Sequence, residues 1–511
     1  MVGLVAAGLT LLLGHAMVAP FGHDEHQFVF SGQLLADQAL LPYLDFPYNH
    51  SPYLVFLYGA LFKLTDFDLL AARAISALGA LATVAMLYGA CWRSAVGETS
   101  FWKYWISAGA VVILLANPIF QSTTGKAWNH DVAGALVLGA LLLLPRGGER
   151  QQIRRRLVLS GLLLGLAVGV RLSYAAALPA FLILLYWVHE ERQLADLAKR
   201  ALNFWAGFIA ALLPLLVLIV LAPARFVFGN WVYQLLNTEY RRVLGHEQAM
   251  SLAGKGAYLL DRVGQSPSNL ILPVGFAILA LTMIRSAGRT QGHPFRGSAL
   301  MALFLFVGAL VPTPSWPQYF YAPLPFLVLG AAYATLWEGG KGLGIYWRRL
   351  AFGAMVLLSF AEVIRSYSPI EVLQSKDGWV PLQVDELGER IVSRVGEGRV
   401  LTLAPLIPAE AGLTGYPEFA TGPFVWRVAP MLSAEKRATY GLISPDELSA
   451  LLAQRPPDAV LTGFERGSKV FDLHRPGGLE DPLIEYAQQH GFKPISVPTD
   501  LVEGEITLWL P

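Results

Sequence analysis

A single cysteine, Cys91, stands in 511 residues, which excludes an internal disulfide and any cysteine-based metal site. Charge is scarce as well: Asp, Glu, Lys and Arg make up 15% of the chain against 54% hydrophobic residues, and the mean hydropathy is +0.48. Soluble domains carry about a quarter charged residues, so this composition describes an integral membrane protein. A formal charge of +1 provides no broad basic field, and so no nucleic-acid partner is expected. Solenoid repeats, low-complexity tracts and a phosphate-binding glycine loop are all missing; "GGKGLG" at 339–344 reads as a turn.

What the chain does have is long apolar runs. Crossing a hydrocarbon core takes about 17–25 residues, and eleven such segments are read, at 2–20, 70–92, 104–120, 132–144, 157–170, 174–188, 202–221, 270–284, 299–311, 319–337 and 350–364. Arg171 interrupts the stretch 158–188, marking either a tight turn or a buried charge. The first run also resembles the apolar region of a signal peptide, although no Lys or Arg precedes it.

Lys and Arg gather in alternate connections: Arg93 and Lys103; Arg146, Arg150, Arg154, Arg155 and Arg156; Arg192, Lys199 and Arg200; Arg285, Arg289 and Arg296; Lys341, Arg348 and Arg349. The positive-inside rule makes these cytoplasmic. Loops 21–68, 117–130 and 223–269, and everything after residue 365, then face outward, into the periplasm or its equivalent. Beyond 366 charge and Pro/Gly content rise, and "RVLTLAP", "DAVLTG" and "EITLWL" read as short strands. "SPDELSALLAQ" opens a helix with Ser444 as N-cap, Pro445 in the first turn and Glu447 at the capping-box position. The expected fold is a polytopic α-helical membrane protein of about 11 transmembrane helices over 1–365, with a C-terminal soluble α/β domain over 366–511 outside the membrane.

The first outer loop carries the chemistry. "HDEHQFVFSGQLLADQALLPY" and "LDFPYNHSPYLVFLYGALFKLTD" space their apolar residues as interfacial helices do. Asp24 and Glu25 therefore stand where a lipid-borne group meets water. Asn129, His130 and Asp131 open the fourth segment on the same side, so the two acidic clusters can converge with His26, His130 and Lys126 nearby. "TPSWPQYFYAPLPFLVL" brings Trp316, Gln318, Tyr319 and Tyr321 to that face, and the 223–269 loop adds Trp231, Tyr233, Tyr240, Arg241 and Arg242. Ionisable groups at a membrane are costly unless used. Each nevertheless has a plain rival: Asp24 and Glu25 as a solvated helix end, Asp131 as an N-cap, Arg171 as a snorkelling side chain, Arg241 and Arg242 as ordinary interfacial charges, and His23, His26, His50 and His130 as idle surface groups. A divalent metal held through Asp24, His26 and Asp131 is a further option, although no fixed ligand spacing argues for it.

As an ordered series over roughly the first 340 residues, these motifs resemble the GT-C glycosyltransferases, in particular the dolichyl-phosphate-mannose protein mannosyltransferases and the bacterial lipid A aminoarabinose transferases. The matching pieces are the Asp24-Glu25 pair after the first helix, "SGQLLADQALLPYLDF", "NHSPYLVFLYGALFKL", Arg73 in "AARAIS", Asp131 opening the fourth segment, "GLLLGLAVGVR" ending in Arg171 where the family has Lys, and loosely "PQYFYAPLPFLVL". The resemblance implies a multi-pass protein of the cytoplasmic membrane that takes a sugar from a polyprenyl-phosphate-linked donor and transfers it, with inversion, to a hydroxyl of a lipid, glycan or protein acceptor on the outer face. It makes Asp24 the general base, with Glu25 and Asp131 orienting the site. Arg171, Lys126 and Arg73 become the cations for the phosphate, with His26, His50, His130, Gln318 and Tyr319 contacting substrate.

The alternative is a transporter or flippase of lipid-linked sugars. Transporters place ionisable groups near the bilayer midplane and often show internal repeats, whereas here the carboxylates lie in outer loops. A scaffold protein using the soluble tail is the third class; it predicts that Asp24 and Asp131 can be replaced without effect.

Overall fold

The computed structural model describes residues 2–145, 148–187, 194–245, 251–265, 268–286, 294–337, 343–366, 375–465, 478–502 and 505–511. Of the basic residues used for orientation, Arg146, Arg192, Arg289 and Lys341 lie outside these, as does most of "GGKGLG". Each of the eleven apolar segments contains helix. The helices Asp68–Ser94 and Leu194–Leu221 are the longest among them, at 27 and 28 residues. By length and composition two helices, Asp68–Ser94 and Ala195–Leu221, are able to cross a membrane, and several shorter apolar helices accompany them. Arg171 ends the helix Arg150–Val170 in an extended conformation, and a tight turn, Leu172–Ala177, leads into the helix Leu178–Trp187.

The tightest crossing joins the helices Arg150–Val170 and Leu194–Leu221 through glycine. A Cβ on Gly161 would lie 1.9 Å from the Phe204 carbonyl oxygen, and one on Gly207 would lie 1.9 Å from that of Val158. Gly165 faces the Phe208 carbonyl oxygen in the same way, at 2.6 Å. Where lipid tails compete equally for apolar side chains, helices associate by such close backbone approach. The glycines of "GLLLGLAVGVR" thus serve packing, and the last of them, Gly169, leaves room for the ring of Tyr53.

The first outer loop forms two helices packed on each other, His23–Gln38 and Tyr53–Leu61. The first does not lie open along a surface: Phe28, Val29, Phe30 and Leu34 are buried, and Phe30 packs against Gly415 of the C-terminal region.

That region carries a four-stranded sheet, β1 (Val400–Leu401), β2 (Ala459–Thr462), β3 (Lys493–Val497) and β4 (Ile506–Leu510), in the order β1-β2-β4-β3. β1 and β2 are parallel, and both β4 pairings are antiparallel. β1, β2 and β4 fall on the three expected strands; β3 was not foreseen, because four of its five residues are exposed and it lacks an apolar alternation. The helix Pro445–Gln454 starts as its sequence suggests, with the Glu447 carboxylate accepting the Ser444 backbone N–H at 3.0 Å. Glu410 anchors the region to the helical part: its carboxylate accepts the Leu69 N–H at 3.0 and 3.2 Å, at the start of Asp68–Ser94, a position where the helix dipole favours negative charge.

Candidate active site

Asp24 and Glu25 are neighbours in the first turn of His23–Gln38. Successive helical residues are turned by about 100°, and the two carboxylates meet opposite surroundings. Glu25 faces inward and is fully buried. Its carboxylate accepts Arg73 Nε at 2.9 Å and Nη2 at 2.7 Å, together with the Ala127 N–H at 2.9 Å. Arg73 Nη1 donates to the carbonyls of Ala16 and Ala19 at 2.9 and 2.7 Å. This bidentate pair ties the first helix, the first outer helix, Asp68–Ser94 and the second outer loop together, and nothing of it reaches the cavity.

Asp131 is consumed in a similar way. Its side chain accepts Thr124 Oγ1 at 2.8 Å and the Gly125 N–H at 2.9 Å, and Tyr321 Oη donates to it as well. It is the first residue of the helix Asp131–Leu143, with His130 at the N-cap. Lys126 stacks on the Trp128 ring, 4.5 Å from its centroid, and its ammonium pKa is lowered by burial. Neither Asp131 nor Lys126 lines the cavity.

Asp24 does. It opens on a cavity of about 560 Å³, which also takes in His26, His50, His130, Arg171, Gln318 and Tyr319. Seven of the eleven sequence-derived candidates therefore share one wall system, whereas Glu25, Arg73, Asp131 and Lys126 stand behind it. Arg171 reaches the cavity from the break after Arg150–Val170. Asn129 Oδ1 accepts its Nη1 at 2.6 Å, Ser173 Oγ accepts Nε at 3.1 Å, and the Tyr319 ring lies 5.6 Å away. Burial holds the His26 imidazole at about pKa 3 and that of His130 well below its ordinary value, the latter helped by Arg171. Both are neutral at pH 7 and can offer only hydrogen bonds. Among the described residues His26 Nδ1 and both ring nitrogens of His130 are buried with no partner, which leaves them able to hydrogen-bond a ligand. Among the described residues no group of three or more His, Cys, Asp or Glu side chains is placed to hold a metal ion, and Asp24, His26 and Asp131 do not form one.

The far wall was legible only in part: the sequence placed Tyr233 and Arg241 on this face, but not Asn237, Phe424, Arg427 or Glu465. Tyr233, Asn237 and Arg241 come from the helix Tyr233–Val243, while Phe424, Arg427 and Glu465 come from the C-terminal region. Arg427 Nη2 donates to Asn237 Oδ1 at 2.7 Å and to Tyr233 Oη at 3.2 Å. His23, on the rim, stands 3.9 Å from Asp24 and 3.7 Å from Glu465. Arg241, read as an ordinary interfacial charge, lines the cavity, whereas Arg242 is exposed and pairs with Glu239 at 2.7 Å. The aromatic spacing in "NWVYQLLNTEYRR" was a signal for this wall; Arg427 and Glu465 had none, since isolated charges in a segment rich in charge look alike.

The cavity holds the Asp24 and Glu465 carboxylates with several guanidinium groups, between a glycine-packed helical body and a small sheet-bearing region, and solved structures share this fold. ArnT from Cupriavidus metallidurans bound to undecaprenyl phosphate superposes with a TM-score of 0.63 at 13% identity, over 99% of this chain and 97% of that one; its apo state gives 0.62 at 14%, over the same shares. The apo oligosaccharyltransferase of Archaeoglobus fulgidus gives 0.50 at 13%, over 90% of this chain and 69% of that one. No protein-family model matches the chain, and no curated protein matches it by sequence.

Proposed function

We propose that the protein is a glycosyltransferase of the cytoplasmic membrane, spanning it with about 11 helices over 1–365 and presenting the cavity and the domain 366–511 to the outer face. Its donor is a sugar joined through phosphate to a polyprenol, and its acceptor is a hydroxyl of a lipid, glycan or protein. The observation that carries this reading is the contrast between two adjacent acids: Asp24 opens on the cavity that Arg171 faces, while neighbouring Glu25, behind its wall, is fully engaged with Arg73. The fold shared with ArnT, which binds undecaprenyl phosphate, supports the donor class.

In the reaction, the acceptor oxygen forms a bond to the anomeric carbon as the bond from that carbon to the phosphate oxygen breaks. The acceptor proton passes to the Asp24 carboxylate. The departing phosphate gains charge and needs cations, not an acid; Arg171, held by Asn129 and Ser173, supplies a planar donor fork suited to phosphate oxygens. Attack opposite the leaving group inverts the anomeric centre. Glu25, Arg73 and Asp131 position the site by holding the outer loops, and the neutral His26, His50 and His130 hydrogen-bond substrate oxygens.

The test is mass spectrometry of envelope glycans and glycolipids from a deletion strain complemented with wild type or Asp24→Asn at equal membrane levels. A hexose- or pentose-sized increment that vanishes on deletion and returns only with wild type is the expected result. Equal restoration by Asp24→Asn sinks the base assignment.

A further inference from the structure

We propose that the cavity holds two anionic groups at once, Arg171 taking the first and the pair Arg241 and Arg427 forming a second, separate anion subsite completed by the C-terminal region. The inference rests on the donor reading above for the first group only.

Arg427 is 5% exposed and follows the short helix Pro423–Trp426. Its guanidinium stands over the rings of Phe424 and Tyr240, at 4.7 and 5.4 Å, and Tyr233 and Asn237 accept from one of its nitrogens. Arg241 stands over Trp316 at 5.6 Å. Among the described residues neither guanidinium forms an ion pair with a carboxylate, and the Nε of each is buried with no hydrogen-bond partner. Two like charges in one cavity wall repel each other, and withdrawing them from water is unfavourable unless an opposite charge approaches; Asp24, in the same cavity, acts on Arg241 without pairing with it. Aromatic faces and neutral oxygens orient such groups without neutralising them. A bound phosphate or carboxylate would do so, taking the unused N–H donors in the bidentate manner arginine favours. Arg171 differs in its partners, tied to Asn129 and Ser173, so the guanidinium groups of the cavity are held by different elements.

The second anion has two sources, a charged group on the acceptor or a second phosphate in the donor, and binding experiments on the full chain in detergent separate them. Native mass spectrometry gives dissociation constants for undecaprenyl phosphate and undecaprenyl diphosphate, and melting shifts with inorganic phosphate are read on the lipid-loaded protein. Wild type, Arg171→Gln, Arg427→Gln and the charge-keeping Arg427→Lys are compared. Arg427→Gln is expected to bind undecaprenyl phosphate like wild type, while Arg171→Gln weakens it about tenfold or more.

If inorganic phosphate then raises the melting temperature of lipid-loaded wild type and of Arg427→Lys but not of Arg427→Gln, the subsite serves the acceptor. If instead wild type prefers the diphosphate about tenfold and Arg427→Gln loses that preference, it serves the donor. Equal weakening of undecaprenyl phosphate by Arg427→Gln and Arg171→Gln overturns the proposal, because it means one anion site. Absence of both the phosphate shift and the diphosphate preference in wild type overturns it too. Failure of wild type to bind either lipid, with an Arg427-dependent shift by inorganic phosphate on the lipid-free protein, would reject the donor reading and leave the second subsite standing.

Discussion

Asp24 and Glu25 are adjacent in sequence and identical in charge, yet one opens on a cavity and the other is sealed against Arg73. The difference separates groups spent on holding the fold from groups left open to a cavity. On the inner side, Glu25, Arg73 and Asp131 spend their polar atoms on the chain itself. On the cavity side, His26, His130, Arg241 and Arg427 keep buried polar atoms without a partner among the described residues. Buried polar groups are nearly always satisfied in folded proteins; others without a partner among the described residues, such as Ser76 Oγ, Ser107 Oγ and Arg348 Nε, lie away from the cavity, whereas these four residues share its lining.

Substitutions can break that comparison. The largest effect is expected from Asp24→Asn: loss of a general base typically costs about 10²–10⁴-fold in rate, with membrane level and melting temperature unchanged, measured as sugar transferred per unit of protein. Glu25→Gln should do the reverse, acting first on the fold. It leaves the fully buried Arg73 guanidinium without its counter-charge, a loss of about 3–5 kcal/mol, seen as poor membrane accumulation and a lowered melting temperature. Glu25→Gln combined with Arg73→Met removes the orphaned charge and should recover part of that stability; if the double variant is worse than the single one, the pair does more than hold the fold.

Asp131→Asn comes next. It leaves the donors of Tyr321, Thr124 and Gly125 poorly matched, costing about 1–3 kcal/mol, and should lower stability more than it changes rate in the surviving protein. A rate loss as large as that of Asp24→Asn, at normal melting temperature, would move Asp131 into the chemistry.

The smallest effect concerns pH. His26 titrates near 6.5 in the unfolded chain but at about 3 when buried in the fold. Between those values the unfolded state binds the extra proton, so stability rises with pH across this window and falls as pH drops below about 6.5. Each such histidine contributes at most about 1.4 kcal/mol per pH unit. Melting temperatures at pH 7 and pH 5 should therefore differ, and His26→Gln should narrow the difference. An unchanged difference would mean that His26 is not held neutral.

The arrangement of the helices was legible because apolar runs of membrane length are a one-dimensional signal: every one of the eleven segments is helical, and the break at Arg171 is a real turn. The strands with apolar alternation were legible for the same reason, whereas the exposed β3 was not. Of the site candidates named from position and from the family resemblance, Asp24, His26, His50, His130, Arg171, Gln318 and Tyr319 share the cavity. The same reasoning could not separate them from Glu25, Arg73, Asp131 and Lys126, since a residue's charge and its place at a helix end do not say which way its side chain turns.

By itself, then, the amino-acid order determined the helical segments, the change of character after residue 366 and the stretch where acids and histidines gather, all of which depend on neighbours along the chain. Only the tertiary structure decided which acid was left free, and that Arg241 of the helix Tyr233–Val243 shares a cavity with Arg427 of the C-terminal region, 186 positions further on. Pairing and burial are properties of three-dimensional neighbours: Glu25 is neutralised by a residue 48 positions away, and no local pattern encodes such a partner.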